Sequence, residues 1–182
     1  MRTLLSRFRR EEEGTAAVEM ALLLPLFLTF VFSFYDIGAL MLRQATLSSS
    51  VDLTARELKL EGTLLPGNSN PSAAQIMAAF RDRVCDRTYL LSDCTSELVI
   101  DMRPVPDAAS FPALDAPCVQ RGPGGPITPV TTFDQNASPE IMFIRVCAPS
   151  KSLFSGYGFG PAIQDANGDI MIRANTSFVY EG

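Results

Sequence analysis

The chain has 182 residues, with 15 Lys and Arg, 20 Asp and Glu, no His, no Trp and a net charge of -5. This length suits one domain with an additional anchoring segment. The acidic balance argues against a nucleic-acid-binding surface, and the lack of histidine excludes a Ser-His or Cys-His catalytic pair.

The apolar segment from Thr15 to Tyr35 predicts one membrane-spanning helix. Its 21 residues carry a single charge, on Glu19, and a helix of that length extends about 31 Å, close to the thickness of the hydrocarbon layer. The apolar core is longer than that of an ordinary secretory signal, so we expect the segment to be retained. The preceding arginines favour a cytoplasmic N-terminus. We therefore expect residues 36–182 to lie outside the cytoplasm.

The helical pattern continues from residue 36 to about residue 61. Gly62, followed by Pro66-Gly67, is the expected end of the helix. Gln44 interrupts the apolar stripe. The stripe that should pack on the domain consists of Ile37, Leu40, Met41, Leu47, Val51, Ala55 and Leu58.

The remaining segment, residues 62–182, predicts a small α+β domain. AAQIMAAFRDRVC reads as a short helix with Asn70 or Ser72 as its N-cap and Pro71 in the first turn. A Pro- and Gly-rich stretch, PALDAPCVQRGPGGPITPV, indicates a loop that contributes to partner contact rather than to the core. Three β-rich runs predict a small antiparallel sheet on which the helix packs: residues 96–105, 140–148 and 169–181.

Four cysteines, Cys85, Cys94, Cys118 and Cys147, all fall in the expected extracytoplasmic part. An even number of cysteines in an oxidising compartment predicts disulfides. Three connectivities are open, and the short separation of the first two cysteines favours Cys85 with Cys94 and Cys118 with Cys147. A zinc site is the alternative, but the chain has neither a histidine nor a C-x-x-C pair.

Two glycine motifs favour loops over ligand sites. DANGD (residues 165–169) lacks the ligand spacing of a helix-loop-helix calcium site and predicts a turn before a strand. GYGFG (residues 156–160) lacks the spacing of a dinucleotide-binding loop and predicts a flexible loop with aromatic anchors. The chain contains no G-x-S-x-G, S-x-x-K or phosphate-binding loop. We therefore expect no enzymatic activity, no cofactor and no metal.

Glu19 is the unusual residue of the anchor. A carboxylate at the bilayer centre costs about 2.5 to 3.5 kcal/mol on insertion scales, but one near the end of a span reaches the interface for less. The position of Glu19 alone is therefore compatible with an acid that has no role and with an acid that has a function. The context favours function, because a short charged leader ends at Gly14, Thr15 follows, and Glu19 is the fifth residue counted from Thr15.

This arrangement resembles the processing signal of type IV pilins, in which a prepilin peptidase cuts after the glycine. GTAAVEMALLLPLFL followed by FYDIGAL is similar to the N-terminus of the TadE-like family, the minor pilins or pseudopilins of the tight adherence (Tad, or Flp) pilus. The resemblance implies a leader of residues 1–14, cleavage between Gly14 and Thr15, and an assembly role for Glu19. The mature start lacks the aromatic residue of common type IV pilins, and the chain is far larger than a major Flp pilin.

The resemblance also implies partners and location. The expected partners are the prepilin peptidase, other minor pilins, the major Flp pilin and the inner-membrane assembly platform. The expected role is in pilus assembly and adhesion, from a single-pass position in the inner membrane with a periplasmic domain, and in the extracellular pilus after assembly. TadE-like and TadF-like subtypes both remain open. The alternative function is an unprocessed, membrane-anchored periplasmic binding module.

Overall fold

The computed structural model describes residues 13–61, 64–65, 67, 71–91, 93–112, 140–154, 156, 158–165 and 168–180. The predicted α+β architecture is confirmed. A short 3-10 turn, Ala108–Ser110, follows the first strand. The described elements are four helices, α1 (Glu13–Glu61), α2 (Ala73–Arg87), α3 (Cys94–Glu97) and α4 (Gly160–Ile163), and three strands, β1 (Val99–Val105), β2 (Glu140–Ser150) and β3 (Ile170–Tyr180).

Helix α1 has 49 residues and extends about 74 Å at 1.5 Å per residue. It continues through Pro25 without a break, although proline supplies no backbone N–H to the preceding turn. The Thr29 hydroxyl donates a hydrogen bond to the Pro25 carbonyl at 2.8 Å. The N-terminal part of α1 is long and apolar enough to cross a membrane, and its side chains are exposed.

The predicted packing stripe of α1 is correct only in its C-terminal half. Leu47, Val51 and Leu58 are fully buried and Ala55 nearly so, but Met41 is 67% exposed. The prediction for Ile37 is also wrong, because it is exposed at 38%. Polar side chains take part in the buried face instead, and they rotate it away from the apolar stripe: Ser33, Asp36, Ser50 and Thr54.

Helix α2 begins with a capping box. The Ser72 hydroxyl accepts a hydrogen bond from the Gln75 backbone N–H, and the Gln75 side chain accepts one from the Ser72 backbone N–H, which satisfies two free donors of the first turn. Ser72 is therefore the N-cap, and Pro71 lies before the cap rather than in the first turn as predicted. The alternative cap, Asn70, lies outside the described residues. The buried face of α2 consists of Ile76, Met77, Phe80 and Val84.

The three strands form an antiparallel sheet in the order β1-β2-β3. The first strand begins three residues later than predicted, because residues 96 and 97 belong to α3 and the Leu98 N–H donates to the Cys94 carbonyl at 2.9 Å. Strand β2 runs two residues past its predicted end, to Ser150. One face of the sheet closes the core against α1 and α2 with Ile100, Met102, Met142, Ile144, Val146, Ile172 and Ala174.

The predicted Cys85–Cys94 disulfide is present, with its Cα atoms 5.6 Å apart, and it joins the last turn of α2 to the start of α3. Cys147 lies in the central strand β2 and is also disulfide-bonded. Its predicted partner Cys118 lies outside the described residues. So does most of the Pro- and Gly-rich stretch that we predict to contribute to partner contact. The pairing of Cys118 with Cys147 therefore stays a prediction.

The described residues of DANGD form a turn before β3. The Gly168 N–H donates to the Asp165 carbonyl at 3.0 Å, and the Asp169 N–H donates to the Asp165 side chain at 3.0 Å. Gly168 has a φ of +80°, which glycine adopts without strain. Within the described part of the chain, no cluster of three or more Cys, Asp or Glu side chains is arranged to hold a metal ion.

Candidate functional site

Gly14, Thr15 and Glu19 lie in the first turns of α1 and are exposed. Thr15 and Glu19 are four residues apart, so they share one face of the helix and lie about 6 Å apart along its axis. A Cβ added at Gly14 would meet no atom of the described residues within 4 Å, its chain neighbours apart. The structure thus places all three predicted site residues together on an accessible helix end.

The surface around Glu19 is apolar. Large hydrophobic side chains cover the helix on every side and remain between 38% and 74% exposed. Such a surface requires either lipid or other apolar helices around it. These side chains are Val18, Met20, Leu22, Leu23, Leu24, Leu26, Phe27, Leu28 and Phe30.

A second carboxylate of α1, Asp36, was not predicted as a site residue. It is 2% exposed, and it accepts hydrogen bonds from the Ser152 hydroxyl and from the Leu153 N–H, the latter at 2.7 Å. These contacts hold the loop after β2 against the helix. The available signal in the sequence was an acid at the end of the apolar run, in FYDIGAL.

The glycine loop packs closely on α1. Gly158 has a φ of +76°, and a Cβ there would lie 2.6 Å from the Ser33 hydroxyl oxygen, so larger residues are excluded by both backbone and contact. A Cβ at Gly160 would lie 2.5 Å from the Ser152 hydroxyl oxygen. Of the two aromatic anchors predicted in GYGFG, Phe159 is 56% exposed and Tyr157 lies outside the described residues. Phe154, just before the motif, stacks on Phe32 of α1 with ring centroids 4.5 Å apart.

Arg43 and Gln44 continue the junction about two turns beyond Asp36 along α1. Arg43 donates to the Ser150 hydroxyl at 2.8 Å and to the Lys151 carbonyl at 2.7 Å. The Gln44 amide donates to the Arg173 carbonyl at 2.5 Å and accepts from the Arg173 N–H at 3.2 Å. Gln44 therefore interrupts the apolar stripe because it pairs with the edge backbone of β3, which a hydrophobic side chain cannot do.

Helices α1 and α2 are joined by an ion cluster. Glu57 of α1 accepts hydrogen bonds from the Arg87 and Arg83 guanidinium groups of α2, the latter at 3.2 Å. The hydrogen bond from Arg87, together with the positive charges of both arginines, lowers the pKa of Glu57. Arg87 also donates to the Thr54 hydroxyl at 3.1 Å. This cluster supports the junction of the two helices and includes none of the predicted site residues.

These features define a protein with one long N-terminal helix, exposed and apolar at its start and part of the core of a small disulfide-bonded α+β domain at its end. Residues 14–56 match the model of the family described as TadE-like protein, and the match begins at Gly14. No curated protein and no solved structure matches the chain. The TadE-like recognition is confirmed over residues 14–56, and it associates the chain with the Tad pilus, whose components are its implied partners. The family is not known for enzymatic activity.

Proposed function

We propose that the chain is a non-enzymatic minor pilin of a Tad (Flp) pilus, cut after Gly14 by a prepilin peptidase. The observation that carries the proposal is the start of the family match at Gly14, in the first turn of an exposed apolar helix with Glu19 on its surface. The open surroundings of Gly14 support access by a peptidase. The mature chain begins at Thr15, with residues 15–35 in the inner membrane and the α+β domain in the periplasm.

The proposed role of Glu19 depends on this cleavage. Removal of residues 1–14 creates an α-amino group on Thr15, which is mostly positive at neutral pH because its unperturbed pKa is about 7.7 to 8.0. An ammonium group and a carboxylate are each costly in an apolar helix bundle, and pairing offsets the desolvation of both. Helices offset by about five residues bring Glu19 of one subunit to the N-terminus of its neighbour. The pair thereby sets the register of assembly.

The size of the domain bears on the position of the subunit in the pilus. We propose that it occupies a low-copy position and takes part in assembly and adhesion through contacts with other minor pilins, the major Flp pilin and the inner-membrane platform. Extra mass beyond the helix supports a minor rather than a major subunit. The periplasm is an oxidising compartment, in agreement with the Cys85–Cys94 disulfide and with the proposed pairing of Cys118 and Cys147.

N-terminal analysis of the chain from its native host tests the processing step. We expect the mature protein to begin at Thr15 and Gly14→Leu to leave an uncut chain. Because a Cβ at Gly14 meets no described atom within 4 Å beyond its chain neighbours, we expect the substitution to change the cleavage site without disturbing the fold. A wild-type protein that still begins at Met1 in piliated cells would instead support the unprocessed binding module.

The register role of Glu19 is tested separately from cleavage. We expect Glu19→Ala to be cut and inserted normally but to lose co-purification with other pilins, and Glu19→Gln to behave likewise because it keeps the size and loses the charge. Val18→Ala is the matched control, since Val18 occupies the adjacent position and is also exposed, at 61%. Wild-type co-purification and piliation with Glu19→Ala would refute the pairing.

A further inference from the structure

The loop between β2 and β3 carries a surface that neither the family match nor the proposed function uses. Residues 152–163, SLFSGYGFGPAI, form a segment of 12 residues without a charge. Three of its described apolar side chains point outward: Leu153 is 53% exposed, Phe159 is 56% exposed and Ile163 is 50% exposed. Apolar surface that is contiguous and faces outward marks a contact with a partner or with a membrane.

The polar groups at this junction are enclosed. Ser33 is 5% exposed and Asp36 is 2% exposed. Their hydrogen bonds go to neighbouring groups of the protein, from the Ser33 hydroxyl to the Thr29 carbonyl at 2.7 Å and to Asp36 from Ser152 and Leu153. Because Ser33 and Asp36 are paired within the protein, neither side chain requires water as a partner.

The loop lies beside the segment of α1 that is expected to cross the membrane. Gly158 and Phe159 line an apolar cavity of about 220 Å³ together with four residues of α1, Leu26, Thr29, Phe30 and Ser33. Leu26 and Phe30 precede the expected end of the span, Tyr35, by about 8 to 14 Å along the helix. This depth falls within the outer half of a hydrocarbon layer of about 30 Å.

We propose that the exposed apolar side chains of this loop, Leu153, Phe159 and Ile163, insert into the outer leaflet of the membrane beside α1 and give the domain a second lipid contact. Phe159 and Leu153 enter the acyl chains, and a lipid chain fills the cavity between Phe159 and Leu26. The exposed Lys151 at the start of the loop extends its ammonium group to the headgroups. The occupant is lipid rather than a protein partner because the loop surface is continuous with the exposed apolar surface of α1. This proposal rests on the membrane anchoring of the proposed function.

The absence of tryptophan from the chain permits a direct test with single-tryptophan variants of the full chain. Phe159→Trp reports on the loop. Phe27→Trp, at an exposed position of the expected span (63% exposed), is the positive control, and Tyr89→Trp, at a 90% exposed position of the domain, is the negative control. Tyr89 lies beside residues 45–53 of α1, about 15 to 27 Å beyond Tyr35.

Each variant is reconstituted in vesicles of phosphatidylcholine and phosphatidylglycerol, with or without phosphatidylcholine brominated on its acyl chains. We expect Phe159→Trp and Phe27→Trp to lose a comparable fraction of their fluorescence to the brominated lipid, and Tyr89→Trp to lose none and to be quenched by aqueous iodide. Quenching of Phe27→Trp without quenching of Phe159→Trp would overturn the loop insertion alone. If neither the brominated lipid nor iodide quenches Phe159→Trp, the loop contacts protein instead of lipid, and the proposed insertion is wrong. Failure of both lipid-facing variants would overturn the membrane anchor itself.

Discussion

At the scale of single residues, two carboxylates in the N-terminal part of α1, Glu19 and Asp36, have opposite environments. Glu19 is exposed on an apolar surface, whereas Asp36 is enclosed and accepts two hydrogen bonds from the loop after β2. An exposed acid on an apolar helix is available to a partner. A buried acid whose oxygens already accept hydrogen bonds holds neighbouring segments of the same chain together. Only Glu19 therefore fits an intermolecular role.

Asp36→Ala is expected to loosen the loop from α1. The change leaves the Ser152 hydroxyl and the Leu153 N–H without their acceptor, and we expect a loss of about 2 to 3 kcal/mol in the free energy of unfolding. Asp36→Asn keeps one acceptor oxygen and should lose less. Thermal unfolding of the full chain in detergent, followed by near-ultraviolet circular dichroism, measures the difference.

Asp52→Ala is the matched control for Asp36→Ala, because Asp52 lies exposed on the same helix and should change stability by less than about 0.5 kcal/mol. Equal unfolding temperatures for the two alanine variants would show that the loop is held by other contacts, such as the stack of Phe154 on Phe32.

At the scale of elements, the contacts between helices and sheet alternate between apolar packing and polar pairing. Leu47, Val51 and Leu58 of α1 pack in the core. Gln44 forms hydrogen bonds with the edge backbone of β3, and Glu57 forms ion pairs with α2. Apolar packing supplies most of the stabilisation because it scales with the buried area. The polar pairs fix the register of α1 against the sheet and against α2.

Glu57→Gln is expected to remove a pH-dependent contribution to stability. The pKa of Glu57 is lowered by Arg87 and Arg83, so the ionised form stabilises the folded state. This contribution is fully present above the unfolded pKa of about 4.3 and is lost as the pH falls through the lower folded pKa. At neutral pH the variant should lose up to about 1 kcal/mol, because the cluster is partly exposed to solvent.

Urea unfolding of wild type and Glu57→Gln between pH 7 and about pH 3 checks this. The difference between the two should shrink in acid. Glu61→Gln, at an exposed position one turn further on, should match wild type throughout. A difference between wild type and Glu57→Gln that stays constant down to the lowest pH would contradict the assignment to the ion cluster.

At the scale of the whole molecule, α1 belongs both to the expected anchor and to the core of the domain. The helix is continuous from Glu13 to Glu61, and the side chains that follow Gln44 complete the sheet's buried face. Movement of the anchor is therefore transmitted directly to the domain, since no break separates the two parts of the helix.

A fragment of residues 62–182 is expected not to fold, whereas a fragment of residues 32–182 should fold. The shorter fragment lacks Leu47, Val51 and Leu58, and full burial of three such side chains contributes about 5 to 9 kcal/mol, which is comparable to the whole stability of a small domain. The longer fragment keeps these residues together with Phe32, Ser33 and Asp36. Dispersion of the amide NMR signals distinguishes the two results, and a well-dispersed spectrum for residues 62–182 would contradict the shared core.

Several elements followed from local patterns that need no tertiary contact. The apolar run from Thr15 identifies an exposed helix, because an uninterrupted apolar surface of that length is independent of the domain. The capping sequence at Ser72 and the alternating strands are likewise local signals. The short sequence separation of Cys85 and Cys94 favoured their disulfide, and α2 and α3 bring them together.

The sequence by itself therefore determined the long apolar N-terminal helix and the α+β class, and it favoured the Cys85–Cys94 disulfide that is present. The site at Gly14, Thr15 and Glu19 stays a prediction. Only the tertiary structure decided that Asp36 is enclosed, that Gln44 pairs with β3 and that Ile37 and Met41 remain exposed. The physical reason is that the sequence of a helix fixes which side chains share a face, whereas the loop and strand that pack on the helix determine which face is buried. Asp36, for example, is buried because Ser152 and Leu153 donate hydrogen bonds to it, and the adjacent Ile37 is left exposed.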